Sequence, residues 1–273
     1  MKLEKLIDAV NVCLADILTE IAPSSSKKLT EAMEYSLLEG GKRLRPVMLL
    51  ASYLDVGKKK LLNEEAKYLA FAIETLHCYT LIHDDLPCMD DDIMRRGKPT
   101  THIKFGETTA VLAGDALLNA SFQAFIKAVK LKPGLIHAGD YFYALTGASG
   151  LISGQSMEFE LDYFDENTLI KIFTHKTAAL FKSAAYIGGV LGLIESDSFV
   201  STNPILADLE NFALNYGLAF QLKDDLDDLN PKGYAARFGV EKAKKMFYEL
   251  KRKSIQAIEK YDFPLLAALA EKL

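Results

Sequence analysis

The sequence has few cysteines, and those it has follow no pattern. Cys13, Cys78 and Cys88 form no Cys-x-x-Cys pair and have no histidine at a spacing that suggests a zinc site. An odd number of unpatterned thiols is typical of reduced cysteines in a cytosol. We therefore expect a cytoplasmic protein without disulfides.

Long apolar runs are also missing, since none reaches the roughly 18 residues of a membrane span. The N-terminal segment carries Lys2, Glu4, Lys5 and Asp8 among apolar residues at helical spacing. This pattern predicts an amphipathic helix and not a signal peptide. We expect no membrane span.

An excess of positive charge is lacking too. The 32 Lys and Arg residues are outnumbered by 37 Asp and Glu, and the net charge of −5 argues against a general nucleic-acid binder. No repeat and no segment with the character of an interdomain linker is visible in the 273 residues, so we predict one domain over 1–273.

Strand signals are scarce, whereas helical periodicity is not. No alternating pattern exceeds four residues, and no Asn-Gly or Asp-Gly turn occurs. Apolar residues recur every three or four positions, for example in 66–83, 110–129, 169–193 and 240–258. Some of these segments are apolar on most faces, which is typical of interior helices. The pattern predicts an all-α fold, one large helical bundle around a central cavity.

The first acidic cluster is the run DDLPCMDDD at 84–92, which ends an apolar helical segment. So many neighbouring carboxylates must be either solvated or neutralised by cations. In a straight helix Asp84 and Asp90 would point to different faces. Pro87 cannot continue a regular helix, so a local bulge that absorbs two residues would bring Asp90 back over Asp84.

The second acidic cluster, DDLDD at 224–228, also ends an apolar segment. Asp224 and Asp228 share one helical face, and Gln221 points the same way. A single acidic run at a helix end is usually a solvated surface. Two runs that both open with Asp-Asp after apolar helices instead predict a paired site that holds Mg²⁺ ions around one diphosphate.

Basic residues lie near the first cluster and elsewhere. In GGKRLRP at 40–46, Lys42 and Arg45 are three apart and can reach one anion, while the glycines permit close backbone approach. Arg95 and Arg96 follow the first acidic run, where they are either anion-binding groups or partners of its aspartates. Lys176 lies in an apolar segment and needs an anionic ligand or an acid from a neighbouring helix.

Six strings along the chain carry a family resemblance. They are GGKRLRP (40–46), HCYTLIHDDLPCMDDDIMRRGKPTTH (77–102), FGETTAVLAGDALL (105–118), GQ (154–155), HKTAAL (175–180) and FQLKDDLDD (220–228). With these strings in this order, the chain resembles the short-chain trans-isoprenyl diphosphate synthases, most closely the bacterial farnesyl diphosphate synthases. The resemblance implies the isoprenoid synthase fold, a homodimer and about three Mg²⁺ per active site.

The resemblance also implies a role for each matching residue. The metal ligands would be Asp84, Asp90 and Asp224, assisted by Asp85, Asp225 and Asp228. The allylic diphosphate would be held by the catalytic residues Lys176, Thr177 and Gln221, together with Arg95. Isopentenyl diphosphate would be held by Lys42, Arg45, His77 and Arg96. Gln155 would lie near the reacting carbons.

The activity implied is the condensation of isopentenyl diphosphate with dimethylallyl or geranyl diphosphate. Tyr79 and Thr80 lie about one helical turn before Asp84, where a bulky residue blocks chain growth, so the resemblance favours a farnesyl (C15) product. Geranyl and geranylgeranyl diphosphate synthases, a non-catalytic partner subunit, a terpene cyclase and a helical binding module are the alternatives.

Two features depart from the family pattern. After Asp228 the loop is short, and Lys232 is its only lysine, whereas relatives carry a longer loop with several lysines and glycines. A shorter lid over the substrate is therefore expected. Glu158 also stands where aspartate is usual, and we expect this to matter less.

Overall fold

The computed structural model describes residues 2–160, 165–228 and 233–273. These residues are mostly helical with almost no strand, which confirms the all-α prediction. The α-helices are α1 (Leu3–Ile21), α2 (Lys27–Leu38), α3 (Leu44–Val56), α4 (Glu64–Asp84), α5 (Thr101–Phe105), α6 (Glu107–Leu131), α7 (Ile136–Thr146), α8 (Leu151–Glu160), α9 (Glu166–Phe173), α10 (Ala179–Glu195), α11 (Pro204–Asp227), α12 (Tyr234–Phe238), α13 (Val240–Ile258) and α14 (Pro264–Glu271). A short 3₁₀ turn covers Pro133–Leu135, and a two-residue hairpin pairs β1 (Met94–Arg95) with β2 (Lys98–Pro99).

Several helix starts have recognisable caps. The Asn63 side chain accepts a hydrogen bond from the backbone N–H of Ala66 and so begins α4. Asn203 caps α11 in the same way, and Pro204 occupies its first turn, where a missing N–H costs nothing. The predicted segment 240–258 coincides with α13, and 66–83 and 110–129 lie within α4 and α6, whereas 169–193 covers α9, a π-helical turn at Thr174–Ala178 and α10.

The helices form two compact units, and the division falls within α3. Unit 1 comprises Met1–Val47 and Leu62–Pro133, and unit 2 comprises Met48–Leu61 and Gly134–Leu273. In unit 1, α4 packs on α6 and α1, with Phe71, Ile73 and Leu117 fully buried. In unit 2, α11 packs on α10 and α13.

Small residues bring helices close together in unit 2. A Cβ atom at Gly217 of α11 would lie 2.7 Å from Cα of Ala178, and one at Gly189 of α10 would lie 2.4 Å from Cδ1 of Leu209. A side chain at Gly217 would press on the backbone of Ala178 and force the packed helices apart, whereas one at Gly189 would require the Leu209 side chain to move.

Two helical stretches are long and apolar enough to be compared with membrane spans. The stretch Glu166–Glu195 is 83% buried, so packing inside the protein accounts for its hydropathy. The other, Glu107–Leu131, is only 44% buried.

Candidate active site

The first aspartate cluster contains the bulge that the sequence predicts. Helix α4 ends at Asp84, and the chain turns through Leu86 and Pro87. The backbone N–H of Asp90 then donates to the carbonyl oxygen of Asp84 at 2.9 Å. This bond spans six residues, and it returns Asp90 to the end of the helix that carries Asp84.

Asp85, the second residue of this cluster, is committed to an ion pair. Its side chain is 3% exposed, and its Oδ1 atom lies 2.7 Å from Nε and 2.6 Å from Nη2 of Arg95. Burial raises the pKa of Asp85, although Arg95 opposes this effect. Asp85 therefore positions Arg95, while its assistance to a metal stays a prediction.

The hairpin after this cluster was not visible in the sequence. Its turn is Arg96-Gly97, both with left-handed φ (53° and 76°), as in the primed turns that join two-residue hairpins. Asn-Gly and Asp-Gly are the usual signals of such turns, whereas Arg-Gly is a weak one. The positive φ at Arg96 is part of the turn that aims its side chain.

Arg96 brings two distant basic segments together in unit 1. Its Nη1 atom donates to the carbonyl oxygen of Gly40 at 3.0 Å. Gly41 has a φ of 108°, which favours glycine, and a Cβ atom there would lie 2.9 Å from the Arg96 guanidinium carbon. The segment that carries Lys42 and Arg45 therefore meets Arg96, as a shared anion site requires.

His77 acts as a neutral acceptor in this group of cations. Arg45 Nη1 lies 3.2 Å from His77 Nε2, and a guanidinium can only donate, so Nε2 accepts. Burial, followed by the charges of Arg45, Arg96 and Arg95, holds the pKa of His77 well below its usual value. His77 thus orients Arg45 without adding positive charge.

Tyr79 and Thr80 differ in their environments on α4. Tyr79 is buried and packs edge-on against His83, with ring centroids 5.7 Å apart. Burial and the nearby Asp84 raise the pKa of Tyr79 to about 12, so it is neutral at physiological pH. The Thr80 hydroxyl donates to the His77 carbonyl oxygen at 2.7 Å within the same helix.

In unit 2, a π-helical turn at Thr174–Ala178 carries two predicted site residues. Thr177 Oγ1 donates to Gln221 Oε1 of α11 at 2.7 Å. Lys176 Nζ lies 2.6 Å from Oε2 of Glu158 on α8. An acid from a neighbouring helix therefore satisfies Lys176, which was one of the two possibilities left open by the sequence.

Glu158 is thus a further residue beside the candidate site, through its ion pair with Lys176, and the expectation that glutamate in place of the usual aspartate matters little stays a prediction. The sequence pointed to this position, because the family pattern also has an acidic residue there. Gly154, one turn earlier on α8, allows the approach: a Cβ atom there would lie 2.7 Å from the backbone nitrogen of Lys176.

In the second cluster, as in the first, the second aspartate is buried and bound to other protein groups, whereas two other aspartates remain as candidates for the metal site. Asp225 is buried, and its carboxylate accepts hydrogen bonds from the backbone N–H groups of Gly233 (3.0 Å) and Ala235 (2.6 Å), which anchors the start of α12. Asp224 and Asp228 are one turn apart, with the N–H of Asp228 bonded to the Asp224 carbonyl oxygen at 3.1 Å. The predicted lysine of the short loop, Lys232, lies outside the described residues.

The carboxylates of the first cluster fit a magnesium ion as partial ligands. Among residues 2–160, 165–228 and 233–273, no three His, Cys, Asp or Glu side chains are grouped closely enough to hold a metal by themselves. Mg²⁺ usually takes only one or two carboxylates and completes its shell with water and substrate phosphate. The backbone hydrogen bond between Asp90 and Asp84 brings the main chains of these two residues together, which is compatible with one or two carboxylate ligands.

Gln155 is the remaining predicted residue. Its amide nitrogen is buried and has no hydrogen-bond partner within the described parts of the chain. A buried donor without a partner is costly, which is typical of a group that serves a ligand.

Comparison with known proteins places the chain in a family. The sequence model of the polyprenyl synthetase family matches residues 26–238. The chain belongs to this family, a family of prenyltransferases, as its motifs predict. The matched segment includes both aspartate clusters.

Curated relatives carry two kinds of name. A chloroplastic geranylgeranyl pyrophosphate synthase of Capsicum annuum is 38% identical over 254 residues, which are 85% of this chain and 66% of the relative. A farnesyl diphosphate synthase of Haemophilus influenzae is 37% identical over 269 residues, 91% of this chain and 88% of the relative. The chain therefore spans slightly less than two thirds of the Capsicum protein.

Solved structures agree with the fold. An FPP/GFPP synthase from Zymomonas mobilis superposes with a TM-score of 0.86 at 30% identity, covering 99% of this chain and 98% of that one. A geranyltranstransferase from Thermotoga maritima gives a TM-score of 0.82 at 27% identity, covering 99% and 96%. The isoprenoid synthase fold is confirmed.

Proposed function

We propose that this chain is a magnesium-dependent prenyltransferase that condenses isopentenyl diphosphate with dimethylallyl or geranyl diphosphate and releases mainly farnesyl diphosphate. The observation that carries the proposal is the meeting of Arg96 with the Gly40-Gly41 backbone, next to the Arg45–His77 contact. This arrangement supplies a cationic site in addition to the one served by Arg95. A terpene cyclase binds a single diphosphate and does not need this second cationic site.

In the proposed reaction, the catalytic residues Lys176, Thr177 and Gln221 hold the allylic diphosphate with Arg95, while Lys42, Arg45, His77 and Arg96 hold isopentenyl diphosphate. Asp84, Asp90 and Asp224 would hold Mg²⁺, which would supply positive charge that neutralises the allylic diphosphate and makes it a better leaving group. The allylic C–O bond breaks, and the double bond of isopentenyl diphosphate attacks the resulting carbocation. The departing diphosphate takes the proton that is lost.

The side chains around the reacting carbons complete the proposal. The Thr177–Gln221 hydrogen bond fixes an amide dipole that stabilises positive charge without a nucleophile that would trap it. Gln155 contributes a second amide. No catalytic histidine or glutamate is required, because the leaving group is the base.

A C15 product is proposed because Tyr79 is large, buried and held edge-on by His83, one turn before Asp84. A C20 product is the second candidate, since the Capsicum relative bears the name of a geranylgeranyl pyrophosphate synthase.

We also propose a homodimer. Helix α6 has an exposed side rich in apolar residues, among them Leu112 (52% exposed), Phe122 (39%) and Ile126 (54%). Several large apolar side chains exposed on one helix are typical of an interface, and a second copy would cover them. The three cysteines are free thiols, which supports a cytoplasmic location.

A product assay tests the proposal. The purified protein is incubated with isopentenyl and geranyl diphosphates and Mg²⁺, and the prenyl chain lengths are resolved. A dominant C15 product that disappears with a chelator or in Asp84→Ala supports it. A C20 product would keep the reaction and overturn the chain length, while no condensation by folded protein would indicate a non-catalytic subunit.

A further inference from the structure

Arg43, between the predicted ligands Lys42 and Arg45, has an unusual backbone conformation. Its φ of 52° is left-handed, which is uncommon for a residue other than glycine. Its carbonyl oxygen accepts the hydrogen bond from Val47 N–H that begins α3. Such a conformation persists only where the surroundings impose it.

The Arg43 side chain is bound on every side by unit 1. Nη1 donates to Glu74 Oε1 at 2.7 Å, and Nε donates to Asn11 Oδ1 at 2.9 Å. Nη2 donates to the carbonyl oxygens of Leu37 (2.8 Å) and Leu38 (3.3 Å). The guanidinium thereby joins α1 and α4 and satisfies carbonyls in the last turn of α2.

Stability alone is a poor explanation for this pair. The side chains of Arg43 and Glu74 are each 2% exposed. The cost of removing both charges from water offsets most of their attraction, and apolar residues of similar volume often serve stability equally well. The effect of the pair on the position of the 40–46 segment is therefore the feature to explain.

The neighbours of the pair are residues to which a substrate-binding role is assigned above. Glu74 and His77 are three apart on α4 and so share one face of it. Glu74 holds Arg43, and His77 contacts Arg45 at 3.2 Å. One rigid helix thus fixes two arginines of the 40–46 segment, and Lys42 lies next to the first of them.

The segment before Arg43 needs such an anchor. Gly40 and Gly41 both have positive φ, and the Arg96 guanidinium group occupies the space where a side chain of residue 41 would lie. Glycine backbone is the most costly to order, so the position of Lys42 depends on what holds the end of the segment.

We propose that the buried Arg43–Glu74 ion pair positions the isopentenyl diphosphate site, by holding the 40–46 segment where Lys42 and Arg45 reach the same diphosphate. The inference rests on the function proposed above. Arg43 and Glu74 are positioning residues and do not contact the substrate. A misplacement of about 1 Å at a binding group can cost as much as about 10²-fold in rate, so a well-folded protein without the pair should still bind poorly.

The experiment separates position from stability. The full chain carries Arg43→Met together with Glu74→Leu, which replaces the pair by apolar residues of similar size. KM for isopentenyl diphosphate is measured at saturating geranyl diphosphate, KM for geranyl diphosphate is measured in the converse assay, and thermal unfolding is followed. The control is Lys59→Met with Glu195→Leu, which removes a partly buried pair (3.6 Å) in unit 2.

We expect KM for isopentenyl diphosphate to rise by about tenfold or more in the Arg43/Glu74 variant, with KM for geranyl diphosphate within about twofold of wild type. The control should change neither constant. Unaltered KM for isopentenyl diphosphate in the folded variant would show that the pair only stabilises, and an equal rise in both constants would show that it has no specific link to this site.

A second, milder variant tests the same inference if the Arg43/Glu74 double variant does not fold. Glu74→Gln keeps the size and one acceptor while removing the charge, and it should raise the same KM selectively; wild-type constants would overturn the inference. Calorimetric binding of isopentenyl diphosphate alone separates this inference from the proposed function. Wild-type protein that condenses nothing but binds isopentenyl diphosphate, with affinity lost in the variant, would reject the function and keep the positioning role.

Discussion

Thr177 donates a hydrogen bond from its hydroxyl to the amide oxygen of Gln221 at 2.7 Å, which joins the π-helical turn to α11. The bond settles the orientation of an amide that the proposed reaction uses to stabilise positive charge. The π-helical turn permits it, because the extra residue in the turn changes the face on which Thr177 lies.

Replacing Thr177 by valine keeps the shape and removes that donor. We expect kcat to fall by about 10²-fold, which is typical for one preorganised polar group, with thermal stability nearly unchanged. Thr174→Val is the matched control, since the hydroxyl of Thr174 donates to the Ile170 carbonyl oxygen (2.8 Å) within the same helical stretch. Equal losses in both variants would contradict the assigned role.

We expect the aspartates of the first cluster to contribute unequally to Mg²⁺ binding. Asp90→Asn should lower kcat/KM by about 10³-fold at limiting Mg²⁺, because Lewis-acid stabilisation supplies several kcal/mol. Asp91→Asn should have little effect, since Asp91 is exposed and asparagine tolerates its left-handed φ of 52°. The measurement is activity as a function of Mg²⁺ concentration, and similar curves for the two variants would refute the ligand assignment.

Tyr79 should determine how far the prenyl chain grows. In Tyr79→Ala the main product should shift from C15 to C20 or longer, because the ring one turn before Asp84 no longer closes the path. Tyr68→Ala, on the same helix but with its hydroxyl on Glu20 (2.9 Å), should leave the product unchanged. Chromatography of the hydrolysed products checks both, and a C15 product from the Tyr79 variant would remove the basis of the chain-length proposal.

Asp55 gives unit 2 a dependence on pH. Its Oδ2 atom accepts from the N–H groups of Leu265 and Leu266 at 3.0 Å and so caps α14, while burial raises its pKa from 3.8 to about 6. The folded protein therefore binds this proton more tightly than the unfolded chain does. The contribution to stability is largest below about pH 4 and is lost as the pH rises to about 6.

Asp55→Asn tests this dependence, because asparagine can still accept at α14 but cannot ionise. Between pH 4 and pH 7 the free energy of unfolding of the variant should improve by about 2 kcal/mol relative to wild type. Denaturant titrations across this range measure the difference. Parallel curves for the two proteins would mean that Asp55 has an ordinary pKa in the folded state.

Much of the fold was predictable from local pattern. The apolar spacing of 240–258 specified α13 correctly because a helix that buries one face must repeat every three or four residues. The bulge after Asp84 was also predictable, since Pro87 excludes a regular helix there. The Arg96-Gly97 hairpin was not, because a two-residue turn leaves little trace unless it contains the usual residues.

The residue types of the candidate site were predictable from the sequence, whereas the hydrogen-bond and ion-pair partners of those residues were less so. The sequence alone determined that two aspartate clusters and several basic segments exist, and that Asp90 can return to Asp84. Spacing and residue type did not distinguish Asp84 from Asp85, and only the family resemblance gave them different roles, Asp84 as a metal ligand and Asp85 as its assistant. Only the tertiary structure pairs Asp85 with Arg95 and Asp225 with the start of α12.

The same holds for Arg43 and Arg45, which are two positions apart in one basic string. What separates them is the set of partners that distant helices bring: Glu74, Asn11 and the end of α2 enclose Arg43, while His77 receives Arg45. The chemistry of this protein is therefore determined by its sequence, whereas the division of labour among identical side chains is decided by tertiary packing. The physical reason is that burial and hydrogen-bond partners, which set the role of a charged group, come from residues far away along the chain.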